Sequence, residues 1–404
     1  MEHFNLSHYR FKKPHYFDGK LSKGFKNLLS SRIITNVGTG FFAVFFPIFL
    51  YEILGKNLTY LAIFYFVSYS LSLFFSVLLP PSLNKFGFKK ALQTSTLIGV
   101  FYYLAIFLLN KENIWFVLPI VIFLGSFWRF LYWVPYNIDF AKFTNPRDRG
   151  KEVGFIEAML SLIGVITPII AGFFIVTFGF NGLFLIGCLI FFFSFLPLIK
   201  LPKTREKFTW SKIETIKKVF AKKNRKLALF FFLDGAENIL VIFVWPIFIY
   251  ELLNGNYLEI GAMSSLVVLF TMLLQLSAGR LVDKNKGKII KTGGLLYAFG
   301  WFLKIFAITS LHVFVFDAFH QFMKVFYRIP LDTMVFETAF KQKHLIDEFN
   351  VFRQICLFLG RLAMVILIII LSLFIASANW IFILGVFVAL FVSVFYKKIE
   401  NALI

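Results

Sequence analysis

The chain has 404 residues, 59% of them hydrophobic and only 16% charged, with a mean hydropathy of +0.79 and a formal net charge of +21. Soluble domains average about 45–50% apolar and roughly 25% charged residues, so a water-soluble globular fold is excluded. The basic charge sits in short segments between apolar runs, which excludes nucleic acid as its partner.

Apolar runs fall at 31–53, 58–79, 91–109, 114–138, 153–178 and 181–199, and again at 227–252, 257–279, 289–310, 313–335, 350–375 and 378–396. Each is near the ~20 residues that a helix needs to cross a bilayer. The pattern predicts an all-α polytopic membrane protein with twelve transmembrane helices. Its expected organisation is a basic segment 1–30, a six-helix half 31–199, a basic linker 200–226, a second six-helix half 227–396 and a tail 397–404. In the linker, Ile213, Ile216, Val219 and Phe220 recur at helical spacing, which fits either a helix at the membrane interface or a solvated linker.

Lys and Arg crowd the segments on one side, while the connections on the other hold only Lys56 and Lys111. The positive-inside rule then places both termini and the linker in the cytoplasm, and the expected location is the plasma (inner) membrane. No cleavable signal peptide is visible in 1–30. Cys188 and Cys356 lie in apolar runs without CxxC or His-rich spacing, so neither a metal nor another cofactor is expected. No Gly-x-x-x-x-Gly-Lys-Ser/Thr phosphate loop occurs, which points away from ATP as the energy source.

The two halves echo each other. PIFLYEIL at 47–54 returns as PIFIYELL at 246–253, aligning Pro47, Tyr51 and Glu52 with Pro246, Tyr250 and Glu251. WRFLYWVP at 128–135 aligns with MKVFYRIP at 323–330, and Gly164 with Gly360. An even number of spans per half keeps the orientation, so the repeats are parallel. Parallel repeats place a binding site between them near the midplane and rock about it.

On these residues the chain resembles the major facilitator superfamily. The family's loop after span 2, Gly-x-x-x-Asp-Arg/Lys-x-Gly-Arg/Lys, recurs after span 8. Here the second copy is GRLVDKNKGK, with Gly279, Asp283, Lys284, Gly287 and Lys288 in place. The first copy, PPSLNKFGFKK, keeps Lys85, Gly87 and Lys89, but Asn84 stands where the family has aspartate. The resemblance implies that these loops latch the halves together, with Asn84 limited to hydrogen bonding. It also implies that spans 1, 4, 7 and 10 line a central cavity. The segment ITPIIAG at 166–172 resembles the family's antiporter motif, although a kinked, closely packed helix explains it equally well.

A charge inside a membrane helix marks a candidate functional site. Span 4 carries Arg129, Tyr132 and Trp133; span 7 carries Asp234, Glu237 and Asn238. Span 10 carries His320, Lys324, Tyr327, Arg328 and Asp332 at spacings that share a face. Depth predicts two layers, Glu237 with Arg129 and Lys324, and Asp234 with Arg328. Glu237 is the leading candidate for proton coupling and Asp234 the second. Static ties between the halves are the competing reading of the same residues. Lys304 is expected to snorkel to the interface. An excess of cations, if Arg361 also points inward, favours an anionic or zwitterionic solute.

The expected function is secondary active transport of a small organic solute by alternating access, coupled to protons, by a monomer surrounded by membrane lipids. Uptake and efflux are both left open. The alternatives are a lipid or lysolipid carrier or scramblase on the same fold, or a polytopic membrane enzyme. Short outer connections and the lack of any metal-ligand spacing speak against the enzyme.

Overall fold

The computed structural model describes residues 21–144, 149–204, 208–282, 286–341, 346–374 and 378–403; side chains at 276–290 and 328–347, with a few others, lie outside the description. The described residues are almost entirely helical. In chain order the helices are α1 (Lys23–Phe42), α2 (Phe45–Ile53), α3 (Leu58–Leu78), α4 (Pro80–Phe86), α5 (Phe88–Leu108), α6 (Ile114–Phe143), α7 (Arg149–Ile199) and α8 (Lys212–Phe220). They continue as α9 (Arg225–Ile239), α10 (Trp245–Leu252), α11 (Tyr257–Val282), α12 (Lys286–Ile305), α13 (Ser310–Lys341), α14 (Ile346–Ser372) and α15 (Phe382–Leu403).

Seven helical stretches among the described residues are long and apolar enough to cross a membrane, with α9 and α10 counted together as Arg225–Leu252, or eight if the bent pair α1–α2 is one span. This is fewer than the twelve expected, and the count covers the described residues alone. The helix α7 counts once although it joins two predicted runs. Gly179 interrupts it with φ 67° and ψ 179°, a conformation that only glycine adopts without strain. Helices are also present over the ninth, tenth and twelfth runs, but only part of each lies among the described residues, and the described apolar stretch of the last, Asn379–Val394, is too short to count. The outward face of α7 is largely apolar, with Phe173, Val176, Leu189, Phe192 and Phe193 exposed, as a lipid-facing surface requires.

The first helix begins well before residue 31. Ser22 caps it by accepting from the Phe25 amide at 3.0 Å, and Phe25 and Leu28 are buried. The chain bends by 41° between α1 and α2. Pro47 accounts for this, because its ring clashes with the carbonyl four residues back, at Ala43, and it donates no hydrogen bond. Its repeat partner Pro246 sits at the start of α10, directly after a π-helical turn at Leu240–Val244. The first proline therefore marks a bend, and the second a change from π- to α-helical hydrogen bonding within a continuous span.

In the first part of the chain α1 packs along α7, α5 against α6 and α7, and α3 on α6. In the second part α9 packs along α14, α12 against α13 and α15, and α11 on α13. The two parts meet where α7 crosses α11, where α14 crosses α3, and where α2 touches α10. The amphipathic α8 lies against α3, α14 and α9, burying Thr215 and Val219 and exposing Ile213, Ile216 and Phe220. Val219 thus leaves the apolar face to which its spacing assigned it, because α8 packs on the bundle with the opposite side.

The α9–α14 crossing depends on reciprocal glycines. A Cβ at Gly360 would fall inside the van der Waals radius of the Phe232 carbonyl oxygen, and one at Gly235 would overlap the Leu357 carbonyl. Gly164, the repeat partner of Gly360, meets nothing closer than Val268 Cγ1 at 3.5 Å. Gly360→Ala is therefore expected to destabilise the protein by about 1–3 kcal/mol through overpacking. Gly164→Ala should be neutral or gain up to about 1 kcal/mol from helix propensity. Unfolding titrations of the two variants in mixed micelles check the contrast.

Candidate functional site

A cavity of about 270 Å³ opens among α1, α2, α3, α5 and α6, with Ile242 and Arg361 completing it from the second part of the chain. Its walls are aromatic, including Phe42, Phe46, Tyr65, Tyr102, Trp128 and Trp133. Its charge comes from two arginines. Arg129 on α6 is held by neutral oxygens: Nη2 donates to Ser68 Oγ and, at 3.3 Å, to Ser126 Oγ, and Nε donates to Ser72 Oγ at 3.3 Å. Ser72 and Ser126 spend their own protons on the Ser68 carbonyl at 2.8 and 2.9 Å, so their lone pairs are left facing the guanidinium.

Arg361 on α14 donates from Nη2 to Asn238 Oδ1 at 2.9 Å, and its buried Nε has no hydrogen-bond partner among the described residues. Both guanidinium carbons lie over the Tyr69 ring, at 5.4 Å for Arg129 and 5.1 Å for Arg361. The two charges are therefore no further apart than the sum of those distances. At an effective dielectric near 20, like charges at about 10 Å repel by roughly 1.5–2 kcal/mol. The shared ring offsets part of this, at about 0.5–2 kcal/mol per cation–π contact. Among the described residues no carboxylate pairs with either arginine, although the charge of Asp234 reaches Arg361.

A second polar cluster is buried within the second part of the chain and is walled by rings. Glu237 on α9 accepts from the Tyr297 hydroxyl and from Trp301 Nε1 at 3.3 Å. His320 is fully buried, its ring 4.3 Å from Tyr297 and 4.5 Å from Trp301, and neither nitrogen has a hydrogen-bond partner among the described residues. Lys304 pairs with Asp317 at 2.7 Å, with side-chain exposures of 1% and 9%. Trp245 Nε1 also donates to Asp317, at 3.2 Å, and the Lys304 ammonium lies 3.9 Å from the Trp245 ring centroid and 4.7 Å from that of Trp301.

The end remote from the linker is closed by the repeated octapeptides. The Tyr51 hydroxyl donates to Glu251, and the Tyr250 hydroxyl donates to Glu52 at 2.6 Å; each repeat gives what the other accepts. Tyr257 at the start of α11 also donates to Glu52, and the rings of Tyr51 and Tyr250 meet edge-on at 6.2 Å. At the opposite end the linker bridges the two parts. Asn84 accepts from the Phe208 amide at 2.8 Å and donates to its carbonyl at 3.2 Å, while the Thr209 amide and hydroxyl donate to Glu348 at 2.9 and 2.7 Å.

The sequence between residues 28 and 319 matches the model of the Major Facilitator Superfamily. The chain belongs to the Major Facilitator Superfamily. It is accordingly an integral membrane transporter and not an enzyme. Three solved superfamily-type structures share the fold across nearly the whole chain. A bacterial homologue of the iron transporter ferroportin, in an inward-facing state, matches with a TM-score of 0.67 at 14% identity, covering 95% of this chain and 100% of its own. A peptide transporter crystallised with alafosfalin gives 0.65 at 10%, covering 94% and 95%. A D-xylose–proton symporter gives 0.64 at 13%, covering 93% and 96%. No curated protein matches the sequence.

Within this superfamily fold the expected site residues separate into groups. Arg129 and Trp133 line the cavity, and Asn238 reaches it through Arg361. Tyr132 is buried in a ladder of rings along α6, between Trp128 at 5.8 Å and Tyr136 at 5.5 Å. Glu237 bonds Tyr297 and Trp301, and no ion pair with Arg129 or Lys324 is present among the described residues. Tyr327 stacks on Tyr297 at 5.1 Å, inside the buried cluster. The charge of Lys324, a half-buried residue, reaches Lys304 and His320. Lys304 does not snorkel; its pairing with Asp317 and its two indole neighbours hold it inside.

Of the loop residues, Gly87 turns the chain at φ 78°, Lys89 donates to the Ile199 carbonyl at 2.7 Å at the end of α7, and Lys85 is exposed. Asn84 grips the linker and not a facing helix, since an amide can match both halves of a peptide group where a carboxylate could only accept. The side chains of Gly279, Asp283, Lys284, Gly287, Lys288, Arg328 and Asp332 lie outside the described residues. Sequence reading missed Ser68, Ser72, Tyr69, Tyr297 and Trp301. Their one available signal is the Ser68, Ser72, Ser76 spacing along span 2, a polar stripe in an apolar helix. It also missed Arg32, whose guanidinium lies 4.7 Å from the Trp133 ring.

Proposed function

We propose that the chain is a secondary active transporter that carries a small organic solute by alternating access and couples it to protons. In this reading twelve membrane-spanning helices form two six-helix bundles related by a pseudo-two-fold axis along the membrane normal. The protein works as a monomer in the plasma membrane with its linker and termini in the cytoplasm. The repetition of packing partners supports the two bundles: α1–α7, α3–α6, α5–α6 and α5–α7 have counterparts in α9–α14, α11–α13, α12–α13 and α12–α15.

The observation that carries the proposal is the reciprocal Tyr–Glu closure above a charged cavity. Bonds exchanged between repeats can all break together when the bundles tilt apart, and the aromatic cavity below them would then open outward. Spin labels at Lys111 and Ile308, both exposed at the remote end, test this, the native cysteines being buried. Two distance populations that exchange on adding a transported solute support alternating access. One unchanging distance in lipid would overturn it.

Glu237 is the proposed coupling residue, with Asp234 second. Its buried carboxylate rests on two neutral donors, so gaining a proton breaks no ion pair. In proteoliposomes Glu237→Gln is expected to abolish solute-driven proton uptake while leaving solute exchange in place. An unaltered proton flux would remove Glu237 from this role.

A further inference from the structure

The cavity has a charge that its own walls do not balance. Its two guanidinium groups come from opposite parts of the chain, α6 and α14, and converge on one ring, Tyr69. Among the described residues Arg129 is oriented by serine oxygens alone, and the only side chain bonded to Arg361 is a neutral amide, Asn238. Arg361 Nε is buried without a hydrogen-bond partner among the described residues. A buried cation with a vacant donor is costly unless an acceptor arrives, and an oxyanion supplies both charge and lone pairs.

We propose that this cavity binds an oxyanion, a carboxylate or phosphate-type group, gripped between Arg129 and Arg361, with a compact apolar or aromatic body against Trp128, Trp133 and Tyr102. The assignment rests on the transport reading and specifies its solute. A cavity of about 270 Å³ suits a small organic acid, being just below the range of drug-sized pockets. A cationic solute would find two like charges and, among the described residues, no acid paired with them. Because the two arginines belong to different parts of the chain, a bound anion also ties those parts together, so solute binding and bundle position become linked.

The test is a thermal-shift and binding series on the purified full chain with phenylacetate, phenyl phosphate, inorganic phosphate and lysophosphatidate, each organic probe beside a neutral counterpart such as phenylacetamide. Wild type should be stabilised by the small aromatic anions and not by the neutral molecules. Arg129→Gln and Arg361→Gln should each weaken that binding by roughly tenfold or more, as expected for loss of a charge-assisted bond. Stabilisation by lysophosphatidate alone would assign the oxyanion to a lipid headgroup.

Asn238→Asp guards against misfolding. It places a carboxylate at the 2.9 Å contact of Arg361, so it should raise the melting temperature and at the same time abolish anion binding. A merely damaged protein would melt lower. Equal response to anion and amide, no response to any anion, or anion binding that survives both arginine substitutions overturns the proposal. Liposome flux separates it from the reading beneath it. Transport of a neutral or cationic solute that persists in Arg361→Gln sinks the anion site and leaves the carrier standing; anion binding with no flux of any solute does the reverse.

Discussion

Lys304→Met is expected to lower the unfolding free energy of the purified protein by about 3–5 kcal/mol, among the largest losses open to a single side chain here. The substitution leaves Asp317 charged, almost fully buried and, among the described residues, supported only by Trp245 Nε1. The thioether also gives up the ammonium's contacts with two indole faces. Lys304→Met combined with Asp317→Leu should recover most of the loss, because a buried ion pair replaced by apolar groups of similar volume is often close to neutral. Recovery will be incomplete, since the Trp245 N–H is then unpaired at about 1–3 kcal/mol. Unfolding titrations of the two single variants and the double variant form the necessary cycle. A loss below about 1 kcal/mol for Lys304→Met would mean that the pair is solvated, as surface pairs are.

Glu52→Gln with Glu251→Gln is expected to shift the protein toward opening at the end remote from the linker. Hydrogen bonds to a charged group contribute about 1.5–3 kcal/mol each, and three phenols donate to these two carboxylates. Glutamine keeps an acceptor but not the charge, so each change should remove part of that energy. Every 1.4 kcal/mol moves the open-to-closed ratio by about tenfold. Glu52→Gln should have the larger effect because it serves both Tyr250 and Tyr257, whereas Glu251 serves Tyr51. The label pair at 111 and 308 reads the shift directly. If the double variant keeps the wild-type distance distribution, the closure is held by the packing of α2 on α10 and the tyrosine–glutamate bonds are incidental to it.

Much of the fold was legible in the sequence because a bilayer imposes one strong rule, that uncharged apolar runs of sufficient length become helices. The apolar runs recur as helices, and the Pro–Tyr–Glu repeat pointed to the segments that meet. The charged residues were legible as a set but not as partners. Spacing along one helix gives the face on which Glu237 lies, and that face was assigned to Arg129 across the cavity. In the structure the same face turns toward Tyr297 and Trp301 of α12. Helical phase has to be combined with the position of every neighbouring helix before a partner is defined, and no single helix carries that information.

By itself the sequence determined that this is a helical membrane protein in which the segment Pro47–Glu52 is echoed at Pro246–Glu251, because hydropathy and self-similarity are properties of the chain alone. Only the tertiary structure decided that the repeated tyrosines and glutamates bond to each other's repeat, that Lys304 turns inward to Asp317, and that Arg129 and Arg361 share one ring in a cavity without pairing to an acid among the described residues. The physical reason is that hydrogen bonds and ion pairs depend on ångström distances between segments far apart in sequence, and packing of the helices sets those distances.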